Sequence, residues 1–178
     1  MSEKIWSLLR LKADTEEELI EKYREVYVNE YVNQEIYDFK GNRVIFPYKQ
    51  FDHAFTESKD YRNSQGDHDR FSKKRARYIL WIKKVLMKDT GNVDYRFEYR
   101  SEARNKKGKR VIARIYAVIE EKYIVVLDQK EDALYFITGV PHDINSFKRM
   151  NERSMLLGQE KIPSSLGDWG LPFSKALG

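Results

Sequence analysis

The 178-residue sequence contains no cysteine, which excludes disulfides, a thiol nucleophile and cysteine-ligated zinc or iron-sulfur centres, and agrees with a reducing compartment. No apolar run approaches the roughly 20 residues that a membrane-spanning helix needs. The opening MSEKIWSLLRLKADTEE has an apolar patch too short and too charged for a secretory signal. The expectation is a soluble, cytoplasmic protein with no membrane contact. Walker and Rossmann glycine signatures are absent, and so is Gly-x-Ser-x-Gly, so nucleotide-driven phosphoryl transfer and serine hydrolysis have no support. Internal repeats and low-complexity tracts are missing too.

What is present suits one domain with a core. Residues 1–157 are assigned to that domain, and 158–178, rich in Gly, Pro and Ser with Trp169 and Phe173 among them, to a tail or arm. Charge is unevenly spread. Between Lys59 and Arg114 there are 18 Lys and Arg against 7 Asp and Glu, a surplus of 11, whereas the remainder has 15 against 21. One sign of charge over a contiguous third of the chain favours a polyanion partner, nucleic acid first, the alternative being a solvated basic face.

The pattern predicts an α+β fold around a four-stranded antiparallel meander. Arg110 to Val140 holds three runs dense in Val, Ile, Tyr, Leu and Phe with short charged breaks, and residues 94–102 (DYRFEYRSE) alternate aromatic with charged side chains. Strands are expected near 94–101, 110–119, 122–128 and 133–140, with a turn at Gly108. An N-terminal helix starts at a capping box of Thr15 and Glu18 and presents Leu19, Ile20, Tyr23, Val26, Tyr27 and Tyr31. A small hairpin turns at Gly41-Asn42, and Phe51, Ala54 and Phe55 share a helical face beside His53. A polar loop spans Ser58 to Arg70, Ser72 caps a central helix expected to run unbroken from Lys73 to about Lys88, and a further helix is expected over Asp143 to Leu157.

His53 and His68 precede the basic helix, and a pair of imidazoles suits general acid-base work, although each taken alone reads first as a surface or helix-packing histidine. Asp67-His68-Asp69 offers metal ligands, but in a polar loop without fixed helical spacing, so no metal is assigned. Arg114 stands out as a cation on a central strand, either paired with Glu98 or Glu120 or holding phosphate; Tyr116 shares its face, and Thr138 lies on the last strand of the meander.

The order of these features resembles the barnase, EndoU, colicin and RelE-like nuclease superfamily, in particular its phage-associated branch. The matching pieces are Phe51-Asp52-His53, the helix from Phe71 through Leu86, and the strands Arg114 to Val118, Tyr123 to Leu127 and Leu134 to Thr138, together spanning about residues 46 to 143. The resemblance implies a toxin-like, metal-independent endoribonuclease without cofactors, in which the RNA 2'-hydroxyl attacks the adjacent phosphate to leave a cyclic phosphate. His53 is then general base or acid, with His68 inferred as its partner from chemistry. Arg77 and Arg114 stabilise the phosphorane, and Thr138 or Tyr116 orients the phosphate. Lys73, Lys74, Arg75, Arg96, Arg100, Lys107, Lys109 and Arg110 hold the RNA, free or on the ribosome, and an antitoxin or immunity protein is the implied neutralising partner. The alternatives are a non-catalytic nucleic-acid-binding module and a phage or virion-associated interaction protein.

Overall fold

The computed structural model describes residues 6–57, 70–87, 96–104, 106–118, 122–142 and 155–159. Helix α1 (Glu16–Tyr27) begins where the Thr15 hydroxyl accepts the Glu18 N–H at 3.2 Å, with Glu16, Glu17 and Glu18 in the first turn favouring the positive helix end. The Glu18 carboxylate reaches back to the Asp14 N–H, so the expected capping box forms, shifted by one residue on its return arm. Leu19, Tyr23 and Tyr27 line the buried stripe, and a π-helical turn over Val28–Val32 brings Tyr31 into the core behind them. The preceding segment is stitched down by Tyr23, whose hydroxyl donates to the Leu9 carbonyl and accepts the Leu11 N–H.

Strands β1 (Ile36–Tyr37) and β2 (Arg43–Ile45) form the expected hairpin, with Gly41 at φ 86, the left-handed region where a side chain is strained. Asp38, nearly fully buried, organises the turn by accepting the N–H groups of Lys40 and Asn42 and the Asn42 side-chain amide. Helix α2 (Gln50–Ala54) then leads to a two-stranded ribbon of β3 (Thr56–Glu57) and β4 (Arg70–Phe71).

Lys73 to Lys88 does not form one helix. It divides into α3 (Lys73–Ala76), capped by Ser72 as expected, and α4 (Trp81–Leu86), with turns between. The cause is competition for the helix ladder. Leu9 donates to the Arg77 carbonyl at 2.9 Å, and the Tyr31 hydroxyl inserts between Ile79 and Lys83, donating to the carbonyl of one and accepting the N–H of the other. Apolar periodicity alone does not reveal such intrusions, because they come from side chains and backbone far away in sequence.

Strands β5 (Arg96–Arg104), β6 (Arg110–Val118), β7 (Tyr123–Gln129) and β8 (Leu134–Pro141) are the expected antiparallel meander, each bounded within a few residues of expectation. The sheet is nonetheless wider and mixed. Its order is β1-β2-β8-β7-β6-β5-β9, with β2 parallel to β8 and β9 (Met155–Gln159) antiparallel to β5. The architecture is therefore mixed α/β rather than a four-stranded antiparallel sheet with helices. Met155 to Leu157, expected at the end of a helix, belong to β9, which also runs across the division drawn between 157 and 158; residues 143–154 and 160–178 lie outside the described residues.

All described helices contribute to one core on one face of the sheet, against Val44, Leu134, Phe136, Leu127, Val125, Tyr116 and Val118. Its centre is aromatic. The Tyr27 ring lies within about 6 Å of Phe46, Phe51, Phe55 and Phe136, and Phe46 stacks on Phe136 at 4.9 Å, tying α1, β2, α2 and β8 together. Each such pair adds about 0.5–1.5 kcal/mol beyond its area burial. No helix of the described residues is long and apolar enough to cross a membrane.

Candidate nucleic-acid interface

β5 and β6 pair over nine positions, from Arg96 opposite Val118 to Arg104 opposite Arg110. β7 accompanies β6 only from Ala113 onward, and β9 accompanies β5 only between Phe97 and Arg100. The last three pairs, Glu102 with Ile112, Ala103 with Val111 and Arg104 with Arg110, therefore have no strand on either side among the described residues. At about 3.4 Å per residue the overhang is about 10 Å long before its turn. Gly108, at φ 77, supplies the left-handed step of that turn.

The overhang is strongly basic. Five of the seven residues from 104 to 110 are Lys or Arg, and Lys106, Lys107, Lys109 and Arg110 are all exposed. Residues directly opposite in an antiparallel pair share a face. Arg100 stands opposite Arg114 and Arg104 opposite Arg110, and the alternation of β5 adds Arg96 to the same face. Arg114 and Arg110 have partners among the described residues. Arg114, half-buried, donates from Nε to the Gln129 side-chain oxygen at 2.7 Å; the side chains of Glu98 and Glu120, the partners considered from sequence, lie outside the described residues. Arg110 forms a fork on Glu102, Nε to Oε2 at 3.0 Å and Nη2 to Oε1 at 2.7 Å, which raises the guanidinium pKa through those hydrogen bonds and the carboxylate charge.

Between the overhang of β6 and the β7–β8 turn lies a cleft of about 700 Å³, lined by Lys109, Arg110 and Lys130 together with Asp128, Glu131 and Asp132. Tyr135 steadies the turn: its hydroxyl donates to Asp132 at 3.1 Å, and the Lys130 ammonium lies 4.5 Å from its ring centre. A second cleft, of about 590 Å³, lies among Glu16, Glu57, Arg70, Lys73 and Lys74. Lys73 and Lys74 are exposed there, whereas Arg75 is committed to β3, donating to the Thr56 carbonyl at 2.8 Å. These three cations belong to a different part of the surface from the ribbon.

The residues expected to perform catalysis are distributed as follows. His53 is exposed on α2, a helix anchored to β8 by Gln50, whose amide donates to the Ile137 carbonyl at 2.8 Å. Arg77 is half-buried in the turn between α3 and α4. Tyr116 faces the core, and its hydroxyl donates to the Asp38 carboxylate at 2.8 Å, so it braces the hairpin turn. Thr138 pairs with Val126, whereas Arg114 and Tyr116 pair with Leu127 and Val125, so Thr138 stands on the other face of the sheet. Its hydroxyl is buried without a hydrogen-bond partner among the described residues. His68, with Asp67 and Asp69, lies outside the described residues. Among the described residues no group of three or more His, Asp or Glu is placed to hold a metal ion.

The register thus sets the Arg100–Arg114 pair four steps along the ribbon from the Arg104–Arg110 pair, with Lys107 and Lys109 at the tip, whereas Arg96 stands opposite the core residue Val118 at the far end of β5. It separates Thr138 from Arg114 and Tyr116. Sequence reasoning missed Glu102 and Asp38. An Asp just before Lys40-Gly41-Asn42 is a signal for a side-chain-bonded turn, and Glu102 became visible only once the register around Gly108 was known. Comparison with protein-family models, with curated proteins and with solved structures finds no match in any of the three.

Proposed function

We propose that this is a nucleic-acid-binding protein that grips its polyanion with the overhanging β5–β6 ribbon. The observation that carries this reading is the concentration of exposed cations on a two-stranded element that extends past the pairing it makes with β7 and β9 among the described residues. Basic side chains on a protruding ribbon meet phosphates without desolvating a core, and counterion release then drives binding.

Fluorescence anisotropy with labelled nucleic acid over a series of salt concentrations tests this. Affinity should fall steeply with salt, and Lys106→Ala, Lys107→Ala and Lys109→Ala combined should flatten the log-log slope by roughly 0.9 for each lysine that neutralises a duplex phosphate. Binding that ignores salt, or that survives the triple substitution unchanged, refutes the reading.

The second reading is the metal-independent endoribonuclease, with RNA as substrate and an antitoxin or immunity protein as partner. The exposure of His53 on a helix held against β8 favours it. New 5'-hydroxyl ends in RNA treated with the protein, lost on His53→Ala, would raise it above the binding reading, and intact RNA in both samples would remove it.

A further inference from the structure

We propose that the overhanging ribbon enters the major groove of B-form duplex DNA, with Arg110, oriented by Glu102, as the residue that reads guanine. This rests on the nucleic-acid-binding reading and narrows it to one kind of duplex.

Shape supplies the first argument. The B-form major groove is about 12 Å wide and 8.5 Å deep and admits a two-stranded β-ribbon, whereas the A-form major groove of duplex RNA is too narrow for side chains to read. Three residue pairs beyond the described pairing with β7 and β9 give an overhang of about 10 Å. Its turn, with Lys107 and Lys109, adds to that reach, so the tip enters the groove ahead of the β7–β8 turn, which lies across a cleft from Arg110 and Val111. A single-stranded ligand would not need a projecting element of this length, because its bases are accessible on a flat surface.

Chemistry supplies the second. The fork on Glu102 uses Nε and one hydrogen of Nη2 on Arg110. The other edge of the guanidinium, formed by Nη1 and the second Nη2 hydrogen, has the two-donor geometry that matches guanine O6 and N7. Glu102 thereby holds the plane of the fork while leaving its reading edge outward, and its own carboxylate suits the N4 amino group of the paired cytosine. Lys107 and Lys109, exposed on either side of Gly108, meet the phosphates that flank the groove. A carboxylate in the middle of this basic tip opposes phosphate contact, so a tip built only to bind backbone has no use for it.

The test uses the full chain and four probes of one sequence: a G·C-centred DNA duplex, the same duplex with 7-deazaguanine at its centre, the matching RNA duplex, and single-stranded RNA. The intact DNA duplex should bind roughly tenfold tighter than the 7-deaza duplex, as one bidentate arginine–guanine pair implies, and tighter than either RNA. Arg110→Lys should abolish the difference between the two DNA duplexes without changing the salt slope. Glu102→Gln should shrink that difference while leaving or raising overall affinity, a pattern that mere loss of stability does not produce. Equal binding to the 7-deaza duplex, or preference for either RNA, overturns this inference and leaves the nucleic-acid reading intact. Absence of salt-dependent binding to all four overturns both.

Discussion

Replacing Tyr31 by Phe keeps the ring and removes only the oxygen that divides α3 from α4. In the native fold that hydroxyl donates to the Ile79 carbonyl and accepts the Lys83 N–H at 3.1 Å. In an unbroken helix those two backbone groups would bond to each other. Without the hydroxyl they face one another across the space it filled, beside the buried Tyr31 ring and Ile79. A buried polar group without a partner costs about 1–3 kcal/mol. Two such groups, offset by partial closure of the ladder, place the loss at about 2–4 kcal/mol, a large share of the 5–15 kcal/mol typical of a domain. Urea denaturation followed by tryptophan fluorescence reads this directly, since Trp81 opens α4 and packs edge-on against Trp6. The midpoint should fall with the m-value unchanged. A loss below about 0.5 kcal/mol, the range of an ordinary surface substitution, would refute the reasoning. It would mean that Ile79 and Lys83 pair spontaneously and that something other than Tyr31 interrupts the helix.

Burial raises the pKa of Tyr27, Tyr31 and Tyr123 above that of a solvated phenol. Above about pH 10 the unfolded chain releases protons that the folded chain retains. The stability these groups contribute is therefore complete below pH 10 and declines as pH rises past it, by up to about 1.4 kcal/mol per pH unit for each tyrosine. A urea midpoint that stays level between neutral pH and well above 10 would contradict this. A methyl group added at Gly139 would lie 2.3 Å from the Tyr123 hydroxyl oxygen and 2.9 Å from an Ile82 methylene, so Gly139→Ala should destabilise by about 1–3 kcal/mol. The Tyr123 hydroxyl finds no hydrogen-bond partner among the described residues. Tyr123→Phe should accordingly be neutral or stabilising, and should soften Gly139→Ala when the two are combined. Strict additivity in thermal denaturation would show that the clash lies elsewhere.

The elements legible in the sequence were those whose signal is local. Thr15 and Glu18 marked the start of α1, Gly41 the β1–β2 turn, Ser72 the start of α3, and alternation with short charged breaks marked β5 to β8. What escaped was set at long range. The parallel pairing of β2 with β8 leaves no trace in either strand, and the break after Ala76 comes from Leu9 and Tyr31, remote in sequence. Met155 to Leu157 carry apolar residues that fit either a helix turn or a short edge strand, and the neighbouring β5 decides the matter. The site divides in the same way. The basic ribbon could be read from charge and turn, whereas the faces of Arg114 and Thr138 depend on an irregularity between Val126 and Leu127 where β8 carries an extra residue.

The parallel pairing of β2 with β8 also constrains the order in which the chain assembles. The β5–β8 meander closes only short loops, but Val44 meets Leu134 ninety residues further along, and Tyr116 meets Asp38 across 78. Closing loops of that size carries an entropy penalty before any contact compensates for it. The meander is therefore expected to form early, as a scaffold bearing its basic ribbon, and the hairpin to dock late. By the same logic the hairpin is the part of the sheet most ready to leave when stability is lowered. The amide hydrogens of Lys40 and Asn42, both held by Asp38, would then exchange with solvent while the meander stays protected.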